Sequence, residues 1–350
     1  MKAAVLTQYG HFEWKEVPEP KIRRNEVLVR TEYAGICGSD VHVFHGDFKP
    51  RTQLPLIPGH EFAGIIAETG ATVKQFKQGD RVTVDPIIWC GQCAACQVGH
   101  YPACTSLKLI GVDLDGGFGE TVAVPESMLY SIPSRLTSRE AALVEIYSIG
   151  FHACNRAQID SNDTVVIWGA GRVGQSILQA VRTKTSQLVF CIDVLNSRLS
   201  IARKAYPDIV TVNVREQDPV SVIYEMTKGR GVDVAFESVG HAITISGRPN
   251  PVQGCIQCIR GAGTVCVLGL GDKPSPVLTK ELIWKEARIV TSRVSHGEFS
   301  EVIQNLEQGT LKPEVLISAE FPGSEVQTAF ERIEKEPDKY LKILLRLSGE

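Results

Sequence analysis

Six residues constrain the fold of this chain more than any others: Gly169-Ala-Gly171-Arg172-Val173-Gly174, a G-x-G-x-x-G turn. Alone, that pattern is weak. Its context gives it force. Thr164-Val-Val-Ile-Trp168 before it is a short apolar run of the kind that forms a buried strand, and Arg172 to Arg182 after it reads as a helix. In such a strand–turn–helix unit the glycines permit the tight turn, the close approach of backbone to a pyrophosphate, and helix–strand packing. The phosphates would sit at the helix N-terminus. Asp193 ends the next apolar run, 19 residues past Gly174, where a carboxylate can accept hydrogen bonds from an adenosine ribose. Its charge opposes a 2′-phosphate, which favours NAD over NADP. Arg198, five residues on, suits either a ribose or a phosphate. The competing reading is a glycine turn in an α/β domain that binds nothing.

The pattern around the turn repeats. Leu188–Ile192, Ile209–Val212, Val232–Phe236 and Thr264–Leu268 are further strand candidates, separated by helical stretches at Asn196–Ala205 and from Asp218-Pro219 onward. Asn196 and Asp218 are candidate caps. This alternation predicts a doubly wound parallel sheet with helices on both faces. Residues 1 to about 135 read differently, as short strands punctuated by Gly and Pro: Val27–Tyr33, Glu61–Ala67, Arg81–Val84. Thr137 with Glu140 forms a capping box for a helix through 141–153. Helical patterns return at 298–308 and 324–335. The expected organisation is a β-rich domain over 1–150, a dinucleotide-binding domain over 151–285, and a segment, 286–350, that completes the first domain.

A chain of 350 residues suits roughly two domains. Its 37 Lys and Arg against 40 Asp and Glu leave a net charge of −3 with no basic block, which argues against nucleic acid as a partner. The opening Met-Lys-Ala-Ala-Val-Leu run is too short for a signal h-region, and no stretch is long enough to span a membrane. The expectation is a cytoplasmic protein with reduced cysteines.

Four of the ten cysteines crowd one loop: Cys90, Cys93, Cys96 and Cys104, spaced C-x2-C-x2-C-x7-C. Four thiolates make a closed tetrahedral site, the pattern of structural zinc. Reduced loop cysteines and an iron–sulfur cluster are the competing readings; clusters usually have a shorter last gap and a following proline. A second set lies in Gly35-Ile-Cys-Gly-Ser-Asp-Val-His42 and Gly59-His60-Glu61. Cys37, His60 and Glu61 offer a thiolate, an imidazole and a carboxylate, a mixed set that can leave one position exchangeable, as catalytic zinc requires. Glu61 is thus both a candidate ligand and a candidate catalytic carboxylate. Ser39 places a hydroxyl two residues from the thiolate, and His42 could pass a proton outward. Glu145, set among apolar residues, is either a surface carboxylate or one aimed at the metal. Taken singly, each of these has an ordinary packing or surface explanation.

Together the motifs resemble the zinc-dependent medium-chain alcohol dehydrogenase family, in its sorbitol and threonine dehydrogenase branch. They include Asp115-Gly-Gly-Phe118 and run across nearly the whole chain. The resemblance implies a GroES-like β catalytic domain into which a Rossmann domain is inserted. It implies two zinc ions per subunit, a catalytic one held by Cys37, His60, Glu61 and, directly or at close approach, Glu145, and a structural one in the four-cysteine loop. Asp40 matches a residue that orients the zinc histidine. Ser39 and His42 match a proton relay running through the cofactor ribose. Gly169, Gly171, Arg172, Val173, Gly174, Asp193 and Arg198 match the NAD site. The implied partner is a small-molecule alcohol, and the implied assembly a homo-oligomer, dimer or tetramer, joined through the Rossmann domain.

The branch resemblance points to a secondary alcohol of a polyol, cyclitol or sugar acid, oxidised to the ketone. An amino-alcohol substrate such as threonine, or a non-catalytic nucleotide-binding relative, are the alternatives; the joint presence of Cys37, Ser39, His42, His60 and Glu61 argues against the latter. Three features depart from the family pattern. The loop 241–251 is longer than usual. Ile146-Tyr147 stands where sorbitol dehydrogenases would have Pro-Leu. Thr291-Ser-Arg293-Val-Ser-His296 resembles a sugar-acid dehydrogenase segment, in which Arg293 suits a substrate carboxylate, a structural ion pair or a cofactor contact. His45 and Phe118 are candidate pocket residues or simple packing. Cys255-x-x-Cys258 reads as core.

Overall fold

The computed structural model describes residues 1–240, 245, 247–271 and 273–348. They fall into two units, Met1–Glu145 with His296–Glu350, and Ile146–Ser295. Of the loop 241–251, residues 241–244 and 246 lie outside the described residues.

The second unit is built on a six-stranded parallel sheet. Its spatial order is Val210–Asn213, Val189–Asp193, Val165–Trp168, Val232–Glu237, Ile259–Val267, Arg288–Thr291. Numbered within the unit this is 3-2-1-4-5-6, the doubly wound order of dinucleotide-binding domains. The order reverses between Val165–Trp168 and Val232–Glu237, and the crevice beyond the carboxyl ends of strands at such a point is where ligands bind. The central strand Val165-Val-Ile-Trp168 is buried along its length, which is why it carries no polar alternation.

The sheet is one strand longer than the sequence pattern suggests. Arg288–Thr291 pairs in parallel with Ile259–Val267, so this unit runs to Ser295 and not to 285. That strand is an edge, largely exposed, and lacks the apolar run that marks its neighbours. The start also differs, at Ile146 and not 151, because the boundary falls in the first turn of the helix Val144–Ala157, ahead of Gly150 and with no glycine or proline at the junction itself.

The first unit carries a seven-stranded sheet ordered Ile317–Pro322, Lys342–Arg346, Glu26–Gly35, Glu61–Thr69, Arg81–Val84, Leu129–Ser131, with Thr121–Pro125 also paired to Glu26–Gly35. The returning C-terminal segment thus supplies two strands. One of them, Lys342–Arg346, runs antiparallel beside the end of Glu26–Gly35, with Leu344 opposite Gly35. Buried residues of both parts of the chain, among them Val29, Phe62, Val84, Phe118, Phe330 and Ile343, share one core.

Two local expectations are corrected. The capping box at Thr137 and Glu140 is present, but the helix it starts ends at Ala141 and a second begins at Val144. Leu143 donates three residues back to Glu140, not four, which tightens the turn and breaks the helix. Asn196 is the first helical residue and not the cap; its side chain bonds Glu216 and Asn213 instead. No helix among the described residues is long and apolar enough to cross a membrane.

Candidate active site and metal centres

Cys37 follows the strand Glu26–Gly35 and caps the helix Gly38–His45; its N–H donates to Asp40 Oδ2 at 2.8 Å. Glu61 opens the strand Glu61–Thr69, and the antiparallel register sets it opposite Gly35. Two adjacent strand ends therefore deliver thiolate, imidazole and carboxylate to one place. Ligand atoms of Cys37, His60 and Glu61 lie within 4.8 Å of one another.

The segment before His60 is held by the Asp115–Phe118 motif. Asp115 Oδ1 accepts from the N–H of Ile57 at 2.8 Å, Gly116 donates to Ile57 O, Gly117 to Gly59 O, and Phe118 to Pro58 O. Gly59 has φ of +98°, and a Cβ there would strike the Phe118 ring. Phe118 is wholly buried and packs against Gly59, which supports its packing role.

Asp40 is fully buried, and its Oδ1 lies 3.2 Å from His60 Nδ1. That contact orients the ring and leaves Nε2 for a ligand role, with Ser39 Oγ at 3.2 Å from it. Burial disfavours a charged His60, but Asp40 and then Cys37 outweigh it and hold the pKa well above the ordinary value. The surroundings are thus strongly electronegative and suit a cation. Glu145 is buried too. Loss of solvent pushes its carboxyl up to about 8, with His60 opposing and Glu61 adding to the shift. One oxygen each of Glu61 (Oε1) and Glu145 (Oε2) is buried with no hydrogen-bond partner among the described residues. Orphaned carboxylate oxygens beside a thiol and an imidazole fit a zinc ion.

His42 lies further along the same helix, half exposed, with Nδ1 2.8 Å from Asp47 Oδ2 and its ring on Phe48. His45 ends that helix and pairs with Glu334. At about 1.5 Å rise per residue it lies roughly 12 Å along the axis from Cys37, so the structure does not bring it to the metal cluster.

In the four-cysteine loop the sulfur separations are 4.0 Å for Cys90–Cys96, 3.5 Å for Cys93–Cys96 and 3.6 Å for Cys90–Cys104. A tetrahedron with metal–sulfur arms of ~2.3 Å has edges of about 3.8 Å. The N–H of Cys96 pulls the Cys93 pKa down to about 6, while desolvation and Cys93 push Cys96 up to about 12. Such splitting among four crowded thiols is what a divalent cation relieves. The residues fit zinc here as well.

In the second unit Gly169 has φ of +97°, and Gly174 packs so closely on Gly169 O that a Cβ would overlap it. Gly171 caps the helix Arg172–Lys184, with Arg172 and Val173 in its first turn. Asp193 Oδ2 accepts from Ala170 N–H at 2.7 Å, and Oδ1 from Val194 and Leu195 N–H. The carboxylate is thereby fixed at the strand tip with lone pairs to spare. Arg198 Nη1 lies 3.7 Å from it. Gln175, not singled out in the sequence, donates to both Ala170 O and Arg198 O and ties the two halves of this site together.

Arg293 is exposed and already engaged in a polar or electrostatic contact. Ile146 and Tyr147 are buried, with Tyr147 Oη donating to Gln179 Oε1 at 3.2 Å. Cys255 and Cys258 are buried in the sheet core. Lys342 is the other residue missed: it is 1% exposed and pairs with Glu61 Oε2.

Residues 23–134 match the alcohol dehydrogenase GroES-like domain, and 173–308 match the zinc-binding dehydrogenase domain. A zinc-type alcohol dehydrogenase-like protein of Haemophilus influenzae is 33% identical over 98% of each chain. Sorbitol dehydrogenase of Bacillus subtilis is 31% identical, covering 99% of this chain and 97% of its own. The crystal structure of the alcohol dehydrogenase RspB from Escherichia coli CFT073, complexed with NADH, superposes with a TM-score of 0.90 at 30% identity over 99% of each chain. The chain belongs to the zinc-dependent medium-chain alcohol dehydrogenases, oxidoreductases acting on CH–OH groups.

Proposed function

We propose that the chain oxidises a secondary alcohol of a polyol, cyclitol or sugar acid to the ketone, with NAD as acceptor and zinc at Cys37, His60 and Glu61. The observation that carries this reading is the convergence of those three donors within 4.8 Å, with Glu61 Oε1 buried and without a hydrogen-bond partner among the described residues. The sorbitol dehydrogenase relative supports the polyol class, and the NADH-bound relative supports the cofactor.

When bound, zinc supplies positive charge that stabilises negative charge developing on the alcohol oxygen, and NAD supplies the hydride acceptor. The chain's own residues do the rest. Asp40 holds the His60 ring. Ser39, beside His60 Nε2, takes the alcohol proton as it releases its own hydroxyl proton toward His42. His42, half exposed and bonded to Asp47, returns that proton to solvent. Glu145 stands near as a buried carboxyl group outside the three-donor set. The Gly169–Gly174 turn and the helix start at Arg172 take the pyrophosphate, and Asp193 takes the ribose. The chain would act as a homo-oligomer, with its exposed apolar side chains Ile283, Trp284 and Ile289 next to a free sheet edge supporting that assembly.

The test is the initial rate of NADH formation by zinc-loaded protein on hexitols, pentitols, inositols, aldonates and threonine, with NADP in parallel. Turnover of neutral polyols is expected. Activity confined to aldonates would bring Arg293 into the substrate site; activity on threonine alone would overturn the substrate class. Cys37→Ala should abolish turnover and leave NAD binding and thermal unfolding close to wild type. Full activity in that variant would remove zinc from the reading.

A further inference from the structure

Glu61 has two oxygens with opposite fates. Oε2 is taken by the ammonium of Lys342, and Oε1 is buried with no hydrogen-bond partner among the described residues. Lys342 begins the strand Lys342–Arg346, next to the strand that leads to Cys37, and is 1% exposed. Its Nζ also donates to Ile36 O at 3.2 Å, the carbonyl just before Cys37. A lysine this buried is unusual and is retained only when paired. Here both partners belong to the elements that present the metal donors.

We propose that Lys342 is a positioning residue for the catalytic metal: by occupying one oxygen of Glu61 it confines that carboxylate to a single donor atom and keeps one metal position exchangeable. The inference rests on the zinc reading above. Its logic is coordination arithmetic. Cys37 and His60 give two donors. A one-oxygen Glu61 makes three and leaves the fourth tetrahedral place for substrate or water. A Glu61 released from Lys342 is free to turn its second oxygen to the same ion and close that place. Glu145 interacts electrostatically with His60 and Glu61 but is not one of the three donors gathered within 4.8 Å, so the count of three stands without it. Lys342 also sets a positive charge against the buried carboxylates, and Ile36 O ties that charge to the backbone beside the thiolate ligand.

The experiment loads the full-length protein with Co(II) and records the d–d spectrum as a difference against Cys37→Ala, which keeps the four-cysteine site. Wild type, Lys342→Met and Lys342→Arg are titrated with imidazole, a small ligand for an open position. Wild type and Lys342→Arg should change spectrum on imidazole addition. Lys342→Met should hold cobalt, show an altered starting spectrum and lose the imidazole response, with kcat/KM for the zinc enzyme down ~10–100-fold, the range for residues that orient metal ligands. A Lys342→Met spectrum and response equal to wild type would overturn the assignment. A merely structural lysine would lower metal content and thermal stability without changing the spectrum of the metal that remains, which would also overturn it. Should Lys342→Met fail to fold, Glu61→Gln and Glu61→Gln/Lys342→Met decide. With no carboxylate to position, the second substitution should leave the cobalt spectrum unchanged; a further change overturns the proposal. A wild-type protein with no cobalt signal dependent on Cys37 would instead remove the metal reading itself, and this inference with it.

Discussion

Asp85 lies just past the strand Arg81–Val84 and is 5% exposed, and its carboxylate accepts from the Ile87 N–H at 3.1 Å. Burial, with Glu298 nearby, pushes its pKa from 3.8 up to about 7. The folded chain therefore keeps a proton that the unfolded chain has released across that window, and stability falls as pH rises from about 4 to 7. A shift of that size corresponds to on the order of 4 kcal/mol above the window. Asp85→Asn should remove much of the slope, gaining on wild type between pH 5 and pH 8 in urea midpoints. Parallel pH profiles would mean that Asp85 is not the group responsible. Asp193 offers a second prediction at this scale. Asp193→Asn keeps one acceptor oxygen, for Val194 and Leu195 N–H, gives up the one that serves Ala170 N–H, and loses the charge; it should raise the NADP-to-NAD ratio of kcat/KM by about tenfold, equivalent to ~1.4 kcal/mol. An unchanged ratio would assign the discrimination to another residue. Asp193 and the metal donors are legible in the sequence because their motifs are local. Lys342 is not: it opens an apolar strand, Lys-Ile-Leu-Leu-Arg, as a solvent-facing lysine would, and its partner lies 281 residues away.

The same distinction holds for elements. The strand Val165–Trp168, the glycine turn and the helix Arg172–Lys184 can be read directly, because each follows from periodicity over a few residues. The edge strand Arg288–Thr291 cannot, since an exposed edge carries no apolar run. Nor can the end of the helix Pro251–Cys258, where Lys285 caps three carbonyls: Ile256 O at 2.8 Å, Gln257 O at 2.5 Å and Ile259 O at 2.7 Å. The Asp115–Phe118 segment lies between these cases. Its motif is visible, but its purpose emerges only when it is paired with residues 57–59. A Cβ at Gly116 would press on Gly59 O, in the turn that presents His60. Gly116→Ala should lower stability by about 1–3 kcal/mol, the usual effect of overpacking. It should also weaken zinc retention at Cys37 and His60 more than at the four-cysteine loop. Thermal unfolding combined with chelator competition tests this; equal loss at both sites would make the segment a general packing element.

At the scale of the whole molecule the proposed self-association has a physical basis in the second unit. Among the described residues the sheet stops at Arg288–Thr291, which leaves one side of its backbone without a neighbouring strand. Open edges invite pairing with another chain unless charge, proline or a covering element prevents it. Beside this edge the helix Thr279–Lys285 exposes Ile283 and Trp284, each 74% accessible, and Ile289 on the strand is 44% accessible. Exposed large apolar groups in so short a stretch are characteristic of an interaction surface. A two-fold contact brings the same patch together from both copies, and two such edges can pair antiparallel into one continuous sheet. Ile283→Asp with Trp284→Glu places two negative charges in each copy and therefore four at the contact. The double variant should sediment as a monomer at concentrations where wild type is dimeric or larger, with the fold retained by circular dichroism. A wild-type monomer, or an assembly indifferent to the two charges, would move the contact away from this edge.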